Sequence, residues 1–245
     1  MAKKNIVLKT LYWLVIIVLI MLMLLSLYKI IIWKKNNHEN KLIKESLQEY
    51  IVVEKDEKYN IDFEGLKVRN NDTVGYVRLK GTNIDYVVVQ GNDNKYYLTH
   101  NFDKQKNISG WIFADSRNKL DKTDYNFVIY GHNTADDSMF GTLKNTITED
   151  WYLNTDNHKV MYIDETGVTY YEVFSTYKID NEEYYITTDF SSLDDYKNFL
   201  TTVKERSVYD YNVDVDENDH ILTLSSCANF GKKRIVLHAK RIDEW

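Results

Sequence analysis

A mostly β domain, an antiparallel sheet or barrel carried behind one membrane-spanning helix, is the fold class this chain of 245 residues predicts, on three observations. The N-terminus holds an apolar segment long enough to cross a bilayer. Beyond it come seven short runs rich in Val, Ile, Tyr and Thr, punctuated by turn residues. The composition agrees, because 20 Tyr and no Pro favour strands and leave the turns to Gly, Asn and Asp. Less the apolar N-terminus, the length suits one domain with a core of its own.

The first element is "LYWLVIIVLIMLMLLSLYKIIIW", Leu11 to Trp33, uncharged from Thr10 to Tyr28 and with Lys29 placed to snorkel. A cleaved signal peptide would have a shorter apolar region ending in small residues, yet no alanine occurs between Ala2 and Ala114. An uncleaved anchor over 10–33 is therefore expected, with 1–9 as a short cytoplasmic N-terminus. The charges lean only slightly that way, since Lys3, Lys4 and Lys9 face Lys29, Lys34 and Lys35 across the span. From Lys34 to Lys58 the chain is charged and free of Gly and Pro, with Leu42, Ile43, Leu47, Tyr50 and Ile51 at near-helical spacing. That predicts an amphipathic helix over 34–58 as the connector.

A domain over 59–245 follows. Its strand runs are "VGYVRLK" and "NIDYVVVQ" around a Gly81-Thr82-Asn83 turn, then "NFVIYG", "KVMYI", "VTYYEVFSTYKI", "HILTLSSC" and "RIVLHAKRI". One segment breaks the rhythm. "SSLDDYKNFLTTVKERS" puts Leu193, Tyr196, Leu200 and Val203 on one helical face behind a Ser192/Asp195 capping box.

The net charge is −6, and no basic block stands outside the membrane-flanking lysines, which argues against nucleic acid as a partner. No carboxylate or histidine cluster has metal-ligand spacing, and the Asp136-Asp137 pair reads as a solvated loop, so no metal or other cofactor is expected.

The chemistry gathers around the single cysteine. "HILTLSSC" and "RIVLHAKRI", joined by a loop that includes Gly231, read as a hairpin in which Cys227 ends one strand and Arg234 opens its antiparallel neighbour. Local pairing alone then brings the two side chains to one rim of the sheet. A guanidinium beside sulfur favours thiolate and can hold a developing oxyanion, although a buried structural thiol is the commoner fate of a free cysteine. A second titratable group stands at a strand end in "NFVIYGHN", where the run reaches Gly131 and His132. Such a histidine could take the thiol proton and return it to a leaving amine, although a lone His after a strand is most often a turn residue. His38 falls in the stalk, His158 and His220 in polar turns, and His238 within a strand, while spacing leaves His100 in "YLTHNF" as a rival.

"TLSSC" with Arg234 beyond it and "YGHN" upstream resembles the Cys-His-Arg signature of the sortases, membrane-anchored transpeptidases of Gram-positive surfaces. The resemblance extends to class B. "DTVGYVRLKGTNIDYVVVQGNDNKYYLTHNF", "SGWIFADSRN", "YGHNTADDSMFGTL", "YYITTDF" and "TLSSCANFGKKRIVLHAK" are similar to class B segments in the same order, from Asp72 to Lys240. The helix at Ser192 to Ser207 matches one that class B enzymes carry between their sixth and seventh strands. Two departures are visible: Ser226 stands where the family usually has Thr, and Val87 where it commonly has Pro.

The resemblance implies an eight-stranded β-barrel with peripheral helices, held on the extracellular face by its anchor. It implies cleavage of an Asn-Pro-x-Thr type C-terminal sorting signal on surface proteins, after the Thr, through a thioacyl enzyme. The acyl group would pass to an amine of peptidoglycan or of its lipid-linked precursor. Cys227 would be the nucleophile, His132 the general acid and base, and Arg234 the oxyanion or substrate-carbonyl donor. Motif matching adds Ser225, Asn94, Leu98, Tyr185 and Ile186 as substrate-groove residues. Two other classes compete. A hydrolytic cysteine protease could use Asn133 to orient the His, but papain-like enzymes place Cys before His and this chain reverses that order. A non-catalytic surface-binding module would keep the barrel without needing Cys, His and Arg together.

Overall fold

The computed structural model describes residues 2–54, 58–227 and 233–243, without the side chains of residues 2–5, 7 and 227. The loop expected around Gly231 lies outside the described residues. Two compact units divide the chain, Met1–Glu39 and Asn40–Trp245. Helix α1, Ala2–Leu47, includes a stretch long and apolar enough to cross a membrane.

The helix expected over 34–58 stops at Leu47. Ile51–Val53 (β1) instead pairs antiparallel with Tyr59–Ile61 (β2). The run Ile51, Val52, Val53 is β-branched and prefers the extended backbone, which outweighs the helical spacing upstream. Ile43, Leu47 and Ile51 are buried, whereas Leu42 on the expected apolar face is exposed. Helix α2, Phe63–Arg69, then starts on Asp62, whose carboxylate accepts a hydrogen bond from the Gly65 N–H at 2.9 Å.

Eight strands close a barrel: β3 (Thr73–Leu79), β4 (Asp85–Val89), β5 (Phe113–Ala114), β6 (Asn126–His132), β7 (Lys159–Asp164), β8 (Gly167–Asp180), β9 (Ile221–Cys227) and β10 (Lys233–Ile242). The order around the barrel is β10-β8-β7-β3-β4-β5-β6-β9. Seven of these strands correspond to the runs readable in the sequence, and the eighth, β5, has two residues. Most pairs are antiparallel, but β4 with β5 and β6 with β9 are parallel. The core includes Val77, Leu79, Val88, Ile129, Val160, Val173, Leu222, Leu224 and Leu237, all essentially inaccessible. Every residue of β6 is buried, so both its faces are covered, and Phe127 to Gly131 read as one run without a charge between Asn126 and His132.

Short helices fill the connections. A 3₁₀ segment, Gly141–Ile147, leads into α3, Glu149–Leu153. Between the sixth and seventh barrel strands lies α4, Leu193–Glu205, the expected insertion. The Ser192 hydroxyl accepts from the Asp195 N–H at 3.1 Å, while Asp195 reaches back to Ser191 and not to Ser192. Tyr196, Phe199, Leu200 and Val203 form the buried face and Leu193 is exposed.

Candidate active site

The parallel pairing of β6 with β9 sets the site. Its register runs from Asn126 opposite Ile221 to His132 opposite Cys227, the last residue of each strand. Register partners on adjacent strands project from the same face, so positions 132 and 227 share one end and one side of the sheet. On the other flank β9 pairs antiparallel with β10, a ladder that ends at Val236 opposite Ser225, two residues short of Arg234 on one strand and of Cys227 on the other. At the intervening step the Ile235 N–H donates to the Ser226 hydroxyl at 2.8 Å. A Thr there would keep that bond, so Ser226 is a tolerated departure.

His132 is buried, and its Nε2 lies 2.7 Å from the carbonyl of Leu98. A carbonyl only accepts, so Nε2 carries the hydrogen in that contact. The ring packs on Gly110, whose backbone is left-handed at φ 56°. A Cβ at residue 110 would lie 2.3 Å from the Tyr97 carbonyl and 3.0 Å from Cδ2 of His132, so only glycine permits this approach. Asn133 is exposed, while Nε2 of His132 meets the Leu98 carbonyl.

Four of the other histidines are occupied elsewhere. His100 stacks on Tyr96 at 4.0 Å and holds its carbonyl. His158 bonds the Tyr152 carbonyl and His220 the Asp124 carbonyl. His238 is wholly buried between the hydroxyls of Tyr177 at 2.8 Å and Thr223 at 2.7 Å. Burial, with Arg206 adding repulsion, drives its imidazolium pKa down to about 3.

Beside the rim opens a cleft of about 410 Å³. Asn94, Tyr185, Ile186, Ser225 and Arg234 line it, as do Phe113, Arg117, Tyr130 and residues 181–183, which sequence reasoning did not single out. Leu98 does not line it and meets the site through its carbonyl on His132. The Tyr185 hydroxyl lies 3.0 Å from that of Ser225, tying the loop after β8 to the floor strand β9. A larger concavity of about 540 Å³, between α4 and residues 207–217, contains none of the expected site residues.

The closed eight-stranded barrel thus brings a histidine and a cysteine position together at the ends of adjacent strands, the residue pair that thiol nucleophile chemistry requires. A sortase domain model matches residues 77–242. Sortase B of Staphylococcus aureus is 38% identical over 184 residues, 74% of each chain, and sortase B of Listeria monocytogenes is 38% identical over 182 residues, 72% of each. The crystal structure of Clostridium perfringens sortase B superposes with a TM-score of 0.70 at 40% identity, covering 74% of this chain and all of that one. The chain belongs to the sortase family of cysteine transpeptidases, and within it to class B. Enzymes of this family act at the cell surface, on proteins bearing sorting signals and on amine acceptors of the cell wall.

Proposed function

We propose that this sortase cleaves an Asn-Pro-x-Thr type sorting signal after its Thr and transfers the acyl group to an amine of peptidoglycan or of its lipid-linked precursor. Cys227 is the nucleophile. Its sulfur attacks the Thr carbonyl carbon, and the electron pair displaced onto oxygen is held by the Arg234 guanidinium. His132 takes the thiol proton through Nδ1 and gives it to the departing amine, leaving a thioacyl enzyme. The acceptor amine then attacks that thioester, His132 accepts its proton, and the sulfur leaves. The register of β6 against β9, with β10 on the other flank, is the observation that supports this reading.

Asn94, Tyr185, Ile186 and Ser225 belong to the peptide groove in this reading, with Leu98 at its histidine end. Residues 10–33 span the membrane, 1–9 stay in the cytoplasm, and the helical connector from residue 34 ends at Leu47 before the domain on the extracellular face. The test is cleavage of a peptide carrying the signal. Cys227→Ala keeps the thermal melt of the wild type and loses turnover entirely; turnover retained in that variant contradicts the assignment.

A further inference from the structure

The loop after β8 forms one wall of the cleft, and it is a long connection whose only turn there is the single 3₁₀ turn Tyr184–Ile186. Such a segment has no ladder to hold it, so its position depends on the side chains that grip its backbone. Two side chains hold its backbone, and a third holds one of its side chains. Asn126 donates to the Thr187 carbonyl at 2.9 Å, Ser225 meets the Tyr185 hydroxyl at 3.0 Å, and Nη2 of Arg117 donates to the Ile186 carbonyl at 2.9 Å. Asn126 and Ser225 lie on barrel strands. Arg117 lies just beyond β5, and its side chain is half exposed toward the cleft.

What fixes Arg117 is a buried carboxylate. Asp115 is inaccessible to solvent and takes the guanidinium fork with both oxygens, Nε at 2.9 Å and Nη2 at 2.6 Å. The Tyr130 hydroxyl donates to the same carboxylate at 2.6 Å. Burial pushes the Asp115 pKa up, but the bonds from Arg117 and Tyr130 outweigh it and hold the carboxyl below its ordinary range. Tyr130 stands opposite Ser225 in the β6–β9 register, two residues before the His132 and Cys227 pair. One rigid chain of bonds therefore runs from the β6 strand next to the reacting groups, through Asp115 and Arg117, to the carbonyl of Ile186.

We propose that Arg117 is a positioning residue for peptide recognition, a latch that holds the Tyr184–Ile186 wall at the distance from Ser225 and Arg234 that an extended peptide needs. The proposal rests on the reading of this cleft as the peptide groove. A planar fork shared between a carboxylate and a carbonyl is geometry that lysine cannot reproduce. The latch acts on the wall and not on the sulfur, so its loss weakens binding of ground state and transition state alike.

Steady-state kinetics on a sorting-signal peptide test this with Arg117→Lys, which retains a cation beside Asp115. The expected result is a KM raised about tenfold with kcat within about twofold of wild type, and an unchanged rate of Cys227 alkylation by iodoacetamide. Should Arg117→Lys fold poorly, the paired change Asp115→Asn with Arg117→Gln removes both charges and leaves no buried carboxylate stranded. It is expected to raise KM at least as far. A folded variant of either kind with wild-type KM, or one whose loss falls on kcat, overturns the latch. If wild type itself cleaves no such peptide, the groove reading fails and the latch with it; if wild type cleaves and KM does not move, only the latch fails.

Discussion

At the scale of single residues, the cation on β10 is the most discriminating position. Arg234 lines the cleft, whereas its neighbour Lys233 is exposed and faces Asp180 at 3.8 Å, a solvent-screened pair of little consequence. An oxyanion contact depends on direction, and a lysine ammonium offers a point charge where arginine offers a plane of donors. Arg234→Lys should therefore lower turnover by about two orders of magnitude, or ~3 kcal/mol in the barrier. Lys233→Ala should leave it near wild type. A larger loss in Lys233→Ala than in Arg234→Lys, measured under the same peptide conditions, assigns the role to the wrong cation. Residue-scale chemistry also explains why His132 and His238, both buried, differ. His132 sits at a strand end with one nitrogen on a main-chain carbonyl, while His238 is enclosed by two hydroxyls in mid-strand.

At the scale of elements, His238 joins three strands: it lies on β10, bonds Tyr177 of β8 and Thr223 of β9, and Thr223 in turn donates to Asn126 of β6 at 2.6 Å. Its folded pKa of about 3 lies below the ordinary value of 6.5, so as pH falls the unfolded chain takes up a proton that the folded chain refuses. The stability owed to the neutral ring is complete above pH 6.5 and is lost progressively as pH falls toward 3. Thermal melts of wild type and His238→Gln between neutral and acid pH should converge on acidification, the variant being less stable at pH 7 but losing less. Curves that stay parallel would contradict this.

How far such elements are readable in the sequence depends on how local their causes are. The β9–β10 hairpin is legible because both strands are apolar, β-branched and close in the chain. The α4 insertion is legible through its Ser192 cap and apolar face. β5 is not, because two residues carry no periodicity. Neither is the parallel pairing of β6 with β9, which joins distant segments, so His132 is visible as a strand end but its register with Cys227 is not. The connector is over-read as helix because charged residues mask the extended preference of Ile51–Val53. Arg117 goes unnoticed because, although Asp115 is a local partner, the Ile186 carbonyl it holds and the Tyr130 hydroxyl on the same carboxylate reach it only through the tertiary fold.

At the scale of the whole molecule, the barrel is the device that turns these distant segments into one rim. Closure gives each of the eight barrel strands a partner on both sides, and the parallel pairing of β6 with β9 sets their ends side by side. The long apolar helix of the N-terminal unit fits an enzyme that meets its substrates at a membrane surface. Everything the account assigns to the site converges on one covalent event, the transfer of an acyl group to the sulfur of Cys227. Mass spectrometry of the intact enzyme, quenched in acid during turnover of a sorting-signal peptide without an amine acceptor, observes that event directly. The expected result is an added mass equal to the acyl segment ending in Thr, mapped to Cys227 after digestion, released by hydroxylamine and absent in Cys227→Ala. Peptide cleavage that proceeds with no adduct in Cys227→Ala, or an adduct mapped to another residue, would contradict it.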